Sequence, residues 1–356
     1  MMETETASFT PADATPLLTH DLPGTDGHLG TTEDFVVEEI PAYEPTGEGD
    51  HLYAWIEKRE LTTPQAIGRL ASHLGIPPRD VGSAGLKDRN AITRQWLSFP
   101  GRDIEKLESY RDPDEKLRVL RASRHGNKLR TGHLRGNRFT VVLRDTHEDA
   151  RRRALAILAH IEKEGLPNYF GVQRFGREGD NADRALLALK GKAKLPRDRR
   201  LKRLLISALQ AQLFNELLAL RVVEGKAPRL IDGDVLQRRD SGGVFISDDV
   251  TTDAERMARG EIVITGPICG PRMPRPREGS PARTQEDALL ARFDTDPDAF
   301  SRFGRLARGG RRPLLVFPED LTLREISNDG EAPALRLSFA LPAGSYATVL
   351  LREVTH

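Results

Sequence analysis

Segments with the alternating pattern of β-strands lie near both ends of this chain, and a stretch dominated by helical patterns separates them. The strand-like segments are residues 34–40, 51–58, 93–99, 117–122, 138–144, 314–317, 334–341 and 346–353. From about 180 to 223 the spacing of apolar residues is helical. We therefore predict an α+β fold in which both ends of the chain build one sheet domain and a largely helical insertion lies between them.

Helix-capping residues, prolines, glycines and the spacing of apolar residues predict where several helices and short strands lie. Thr62 or Thr63 can cap a helix whose first turn suits Pro64, and Gly75 can end it. Further helices are predicted at 147–164, 201–220 and 285–293, with short strands near 244–246 and 262–265.

Length and composition exclude several classes of protein. The 356 residues allow one large domain or two ordinary ones. No run approaches the roughly 20 apolar residues that span a bilayer, and residues 1–50 lack the basic start of a signal peptide. The single cysteine, Cys269, cannot form an internal disulfide, and nothing indicates a cysteine-based metal site. We expect a cytoplasmic protein without a membrane segment.

The net charge of +1 conceals a strong asymmetry. Residues 1–50 hold twelve Asp or Glu and no Lys or Arg, so the other 306 residues carry 54 basic and 41 acidic groups. Residues 121–138 contain six Lys or Arg and no acid, and residues 184–203 contain nine Lys or Arg and only Asp198. A polyanion is attracted to such surfaces because each neutralised phosphate releases counterions. Solvated faces and loops would explain any single cluster, but several together favour a nucleic-acid partner.

Familiar catalytic templates are missing from the sequence. It contains no phosphate-binding loop of the Walker type, no His-Glu-x-x-His, no Cys-x-x-Cys and no Gly-x-Ser-x-Gly. Hydride transfer, phosphoryl transfer and metal-dependent hydrolysis are therefore poorly supported.

The run from Gly85 to Trp96 places a single carboxylate, Asp88, between Lys87 and Arg89 on a predicted tight turn. The two cations would favour the ionised carboxylate. An ionised and positioned carboxylate can act as a nucleophile or as a base toward a sugar. Taken alone, Lys-Asp-Arg more commonly forms an ordinary turn in which the aspartate is solvated.

Three further residues have both an ordinary and a functional interpretation. Phe35 fits a core position in a strand. Asn137, between a basic loop and a strand, can stabilise a turn or hydrogen-bond a base edge. Tyr346 can pack in a core or stack on a base, and stacking contributes about 1–3 kcal/mol per base.

Taken together, these segments resemble the TruD family of tRNA pseudouridine synthases. The matching runs, in order, are residues 33–39, 85–95, 128–139, 167–176 and 341–348. The resemblance extends from about residue 29 to residue 353, and five motifs in order are far more specific than any one of them.

The resemblance implies a division of the chain and a reaction. It implies a catalytic domain from 29–166 and 314–356 and a family-specific insertion at 167–313. The acidic extension at 1–28 has no assigned counterpart in the family, and its composition predicts a flexible start or an irregular strap. The reaction would isomerise uridine to pseudouridine in tRNA, by analogy uridine 13 of the D arm, without cofactor or metal. No obligate protein partner is implied, and a monomer is compatible with the resemblance.

The resemblance also assigns roles to individual residues. Asp88 matches the catalytic aspartate, which would either attack the ribose or remove the C2′ proton. Phe35, Asn137 and Tyr346 match positions that contact the target nucleotide. Apart from the resemblance, the basic residues Lys87, Lys128 and Arg130 are also predicted to contact the RNA. The family often has His where this chain has Asn90, which cannot titrate near neutral pH, and often has Phe at Tyr346.

Two other functions remain open at this point. A binding protein could keep the fold without the chemistry, although such a protein has no need to keep Asp88. A nuclease would need clustered carboxylates or a pair of histidines, and neither arrangement is convincing in this sequence.

Overall fold

The computed structural model of the chain describes residues 8–101, 103–326 and 333–356. The strands are β1 (Asp26–His28), β2 (Phe35–Pro41), β3 (His51–Lys58), β4 (Gly82–Ser83), β5 (Ile92–Pro100), β6 (Leu117–His125), β7 (Leu134–Thr146), β8 (Leu166–Pro167), β9 (Val235–Arg238), β10 (Val244–Ile246), β11 (Ile262–Ile268), β12 (Gly310–Pro313), β13 (Leu315–Val316), β14 (Glu319–Ile326) and β15 (Ala334–Pro342). The helices are α1 (Thr63–Leu74), α2 (Ile104–Glu108), α3 (Ala150–Glu164), α4 (Asn181–Leu189), α5 (Arg199–Val223), α6 (Val250–Ala258), α7 (Pro281–Arg292) and α8 (Ala347–Thr355).

The chain divides into two compact units, each built from separate stretches of sequence. The sheet unit takes in the described residues of 22–159, 318–347 and 354–356. The helical unit takes in those of 8–21, 160–317 and 348–353. Mixed helices and sheets confirm the predicted α+β class. The predicted boundaries at residues 28, 166 and 313 stay a prediction.

The sheet unit is organised around one large, mostly antiparallel sheet. Its central strand order is β14-β15-β7-β2-β5-β3-β6, with β1 joined to β7 and β4 joined to β5. Only β2 and β5 pair in parallel among its described strands. β15 comes from the C-terminal part of the chain and pairs with β7 over eight residue positions. The strand predicted at 138–144 therefore lies inside the sheet, where its apolar side chains contact strands from both ends of the sequence.

The ends of α1 are those that the sequence predicts. Thr62 accepts a hydrogen bond from the backbone N–H of Gln65, and the Gln65 side chain bonds back to the Thr62 backbone. Gly75 adopts a left-handed conformation (φ 74°) and ends the helix. The capping box at Thr62 and the left-handed Gly75 both satisfy backbone groups that a helix leaves unpaired at its ends.

The helical unit is built around α5, a helix of 25 residues. Its buried apolar residues recur three or four positions apart and pack with α4 and α7, as Leu205, Leu209 and Leu213 show. Asp198 caps α5 by accepting from the backbone N–H of Leu201. The short strands predicted near 244 and 262 are present as β10 and β11.

The last predicted strand, at 346–353, is wrong: these residues begin the helix α8. Thr348, Val349 and Val354 favour a strand by intrinsic preference, and this misled the prediction. Val349, Leu350 and Val354 are all buried, and their spacing suits one side of a helix. Tertiary packing therefore overrides local preference here.

Residues 8–21 are packed, where the sequence allowed either a flexible start or an irregular strap. The backbone N–H of Thr10 donates to Glu216 of α5 at 2.6 Å. The hydroxyl of Thr19 donates to Glu353 of α8 at 2.6 Å, and both residues are buried. These buried carboxylates require hydrogen-bond donors, which explains why the segment is ordered. Within the described ranges, no helix is both long and apolar enough to cross a bilayer.

Candidate active site

A short polar patch interrupts one apolar face of the large sheet. On β2 the inward positions are Phe35, Val37 and then Glu39, which is 4% exposed. Glu39 pairs with Asn137 of β7. The register of β2 with β5 then brings Gln95, 0% exposed, to the other side of Glu39. Polar groups cost free energy when buried without partners, so this patch must be satisfied by something that lies over it.

The turn that carries Asp88 lies over this patch and is held by buried side chains. Gln95 donates from Nε2 to the carbonyl of Gly85 at 3.2 Å. Thr63 donates from Oγ1 to Oε1 of Gln95 at 3.0 Å and accepts from the backbone N–H of Lys87 at 2.9 Å. Asp88 itself is exposed. The backbone of the turn is thus fixed from below while its carboxylate faces outward.

Lys58, the last residue of β3, holds the same turn. Its side chain is completely buried, and Nζ donates to the carbonyl oxygens of Leu61 and Asp88, each at 2.7 Å, and of Lys87 at 3.5 Å. Burial lowers the pKa of Lys58 to about 8, and the attraction of Asp88 opposes this effect. A buried ammonium group is tolerated here because its protons have backbone acceptors.

Lys87 points into the protein. Its Nζ lies 3.0 Å from Oε2 of Glu39, and the side chains are 5% and 0% exposed. Burial raises the pKa of Glu39, and the charge of Lys87 acts against that rise. Arg89, on the other side of Asp88, donates to a backbone carbonyl at 3.2 Å. The proposed contact of Lys87 with substrate therefore stays a prediction that its burial does not support.

The Oδ1 atom of Asn137 is buried and has no hydrogen-bond partner among the described atoms. Phe35 lies on the same sheet face, 9% exposed, with its ring centroid 6.1 Å from that of Phe139. Tyr346 directly precedes α8 and follows the end of β15, the strand whose Leu341 pairs with Asn137. An unsatisfied buried amide oxygen is rare in folded proteins, and a bound ligand that donates a hydrogen bond would satisfy it.

Lys128 and Arg130 lie on the loop between β6 and β7, which packs against the chain shortly before Asp88. The Leu129 backbone N–H donates to the Ser98 hydroxyl at 2.9 Å. A Cβ atom at Gly82 would lie 2.3 Å from the Leu129 carbonyl oxygen, so only glycine permits this close approach. In the described part of the chain, neither Lys128 nor Arg130 forms an ion pair.

The arrangement presents an exposed carboxylate on a fixed turn, and the sheet face beneath that turn carries an unsatisfied amide and the ring of Phe35. The described residues include no group of three His, Cys, Asp or Glu side chains placed to hold a metal ion. A carboxylate so held can serve as a nucleophile or a base.

Sequence analysis missed four residues that hold this turn: Lys58, Glu39, Thr63 and Gln95. A signal was present for two of them. In the alternation of β3, Lys58 falls in register with the inward residues Ala54 and Ile56, and in β2 Glu39 falls in register with Phe35. A charged residue at an inward strand position indicates a buried partner.

Comparisons with known proteins agree with this architecture. The family model described as tRNA pseudouridine synthase D matches residues 14–190 and 178–354. A tRNA pseudouridine synthase D of Anaeromyxobacter sp. (strain Fw109-5) is 44% identical over 351 residues, covering 95% of each chain. A protein of the same name from Thermus thermophilus is 43% identical, covering 95% of this chain and 91% of its own.

A solved structure shares the fold. The crystal structure of a Methanosarcina mazei protein described as a putative tRNA pseudouridine synthase D superposes with a TM-score of 0.76 and covers 96% of both chains at 23% identity. The family match extends over nearly the whole length described above, and relatives are more than 40% identical over that length. The chain therefore belongs to the tRNA pseudouridine synthase D family.

Proposed function

We propose that this protein converts uridine to pseudouridine in tRNA, at position 13 of the D arm, with Asp88 as its catalytic residue and without a cofactor. The observation that carries the proposal is the exposed Asp88 carboxylate on a turn that buried side chains hold rigidly. The N1–C1′ bond breaks, the uracil rotates, and C5 bonds to C1′. Substrate and product contain the same atoms, so the reaction needs no external oxidant or donor.

The surroundings of Asp88 suit a flipped-out uracil. The Oδ1 atom of Asn137 is buried without a partner among the described atoms, and it can accept a hydrogen bond from N3–H of the base once the side chain turns toward it. The rings of Phe35 and Tyr346 can pack against a base that has left its stack. Enzymes that act on a base in a folded RNA commonly unstack it first, because its reacting atoms are otherwise out of reach.

In the sheet unit, the loop with Lys128 and Arg130 is a candidate contact for RNA phosphates. Its cations have no carboxylate partner among the described residues, and the loop packs against the segment that leads to Asp88. Cations that are not neutralised within the protein are free to release counterions from a nucleic acid.

The helical unit carries a second basic segment at 192–203, before and within the first turns of α5. The first turn of α5 contains no acidic residue, and Arg199 and Arg200 lie at its positive end. Cations there are unfavourable by about 0.3–1 kcal/mol each; the capping carboxylate of Asp198 offsets part of that cost, and a bound phosphate would offset more of it. The basic residues without an ion pair in the described structure are Lys192, Lys194, Arg197, Arg199, Arg200, Lys202 and Arg203.

The direct test is nucleoside analysis of unmodified tRNA transcripts incubated with purified protein and no added cofactor. The parent protein should form pseudouridine in the D arm. Asp88→Asn should bind tRNA and form none, because the amide is neither a nucleophile nor a base. Asp80→Asn, the same change at a residue outside the polar patch, should behave as the parent does. Turnover by Asp88→Asn would remove Asp88 from its role, and a parent protein that makes no pseudouridine would refute the proposal.

A second test concerns RNA contacts. Replacing Lys128 and Arg130 by alanine should weaken tRNA binding and lower the slope of log K against log salt by about 1 per cation. The control replaces Arg151 and Arg152, exposed residues of α3, by alanine. Equal effects of the two pairs would mean that the β6–β7 loop has no special contact with tRNA.

A further inference from the structure

Lys58 is an unusual lysine because its whole side chain lies inside the sheet unit. It is 0% exposed, at the inward position that ends β3. A lysine is almost never fully buried unless its charge is compensated. The compensation here comes from three carbonyl oxygens, at 2.7, 2.7 and 3.5 Å from Nζ, and from the charge of Asp88.

The three carbonyl groups belong to two segments that Lys58 joins. Leu61 directly precedes Thr62, the cap of α1, and the other two acceptors are the carbonyls of Lys87 and Asp88. One ammonium group therefore ties the start of α1 to the backbone of the candidate catalytic residue itself. Loss of this group would remove the hydrogen bond from Nζ to the carbonyl of Asp88.

We propose that Lys58 is a positioning residue for Asp88, whose ammonium group fixes the backbone of the catalytic turn through its hydrogen bonds. The inference rests on the proposed function and adds to it a residue buried beneath the site. Lys58 does not touch the substrate, and it acts only through the backbone and the electrostatic environment of Asp88. A displacement of about 1 Å at a catalytic group can cost about 100-fold in rate, so fixing the turn matters.

The charge of Lys58 depends on pH in the range where the enzyme is assayed. The charged groups that face it are Asp88 and Lys87 of the turn, and Glu39 of β2 acts through its pair with Lys87. The facing residue on β5 is Thr93, which does not titrate. On β6, the facing residue is Leu117.

Burial lowers the pKa of Lys58 to about 8, so the residue is charged below that pH and neutral above it. A neutral amine has two protons for three carbonyls and no longer attracts Asp88 electrostatically. Turnover should therefore decline as pH rises through about 8, while binding of tRNA should not decline in parallel.

The experiment compares the parent protein with Lys58→Met and Lys58→Arg in single-turnover assays on a tRNA transcript across pH 6–10. Lys58→Met, similar in size but without charge or donors, should be slower by about 100-fold or more with an unchanged Kd for tRNA. Lys58→Arg should keep part of the rate and lose the decline near pH 8, because a guanidinium group stays protonated throughout. Lys116→Met, at a half-exposed lysine on the surface, serves as the control and should match the parent.

Each outcome of this experiment either supports or overturns the positioning role of Lys58. A folded Lys58→Met variant within a few-fold of the parent rate overturns the proposal, as does a decline near pH 8 that persists in Lys58→Arg. If neither variant folds, the parent profile still decides, since a rate that stays constant through pH 8 contradicts the role of the charge. Absence of pseudouridine with the parent protein refutes the proposed function itself, which separates that failure from failure of Lys58 alone.

Discussion

The buried pair of Glu39 and Lys87 allows a quantitative test of how the catalytic turn is held. Glu39→Gln removes the carboxylate and leaves the buried ammonium group of Lys87, 5% exposed, without a counter-charge. Removing one partner of a buried pair costs about 3–5 kcal/mol, so the free energy of unfolding should fall by that amount. Replacing both residues, in Glu39→Gln/Lys87→Met, removes the unpaired charge and should restore stability to near the parent value.

The two single variants should differ from each other. Lys87→Met leaves Glu39 buried, but burial already raises the pKa of this carboxyl group, so it can take up a proton and become neutral. Lys87→Met should therefore cost less than Glu39→Gln, and its cost should shrink as pH falls. Because the double variant should be near the parent, the coupling energy between the two changes should be at least as large as the cost of Glu39→Gln, about 3–5 kcal/mol.

Urea denaturation followed by tryptophan fluorescence measures these energies in the relevant unit. The chain has two tryptophans, Trp55 and Trp96, and both lie in the large sheet. Their signal therefore reports unfolding of the sheet unit, whichever unit unfolds first. Glu60→Gln, which breaks an exposed pair with Lys116, is the control and should change stability little. Strictly additive costs in the double variant would refute the idea that Glu39 and Lys87 act as a pair.

Two further predictions concern other residues of the sheet unit. Asn137→Ala should reduce turnover without lowering the melting temperature, because Oδ1 has no partner to lose in the free protein; a melting temperature lower by several degrees would contradict this. The hydrogen bond from Arg144 holds the pKa of Asp34 below its usual value, so its stabilising effect is present above about pH 4 and is lost as the pH falls through the folded-state pKa. Asp34→Asn should thus lower the melting temperature at neutral pH and approach the parent at the acid end, and a constant difference across the pH range would contradict the assignment.

The sequence predicted most strands of the sheet unit because its alternation is regular, and the ends of α1 because Thr62 and Gly75 are specific signals. It did not predict α8, where Val349 and Val354 prefer strands in isolation. Asp88 was identified by a local run of residues and by family resemblance. The residues beneath it were missed because they come together only through strand register, as when Lys58 and Thr93 become neighbours.

The pairing of β7 with β15 has a consequence for synthesis of the protein. Asn137 and Leu341 are partners in this pairing but lie roughly 200 residues apart, which at 5–20 residues per second is about 10–40 s of translation. During that interval the edge of β7 lacks its final neighbour and is a template for aggregation. Arg138 and Arg144 lie near the two ends of this apolar strand, where charges oppose pairing with a second chain. Neutralising Arg138, whose ion pair with Asp320 is exposed, should therefore reduce the yield of soluble protein more than it reduces the stability of the finished fold.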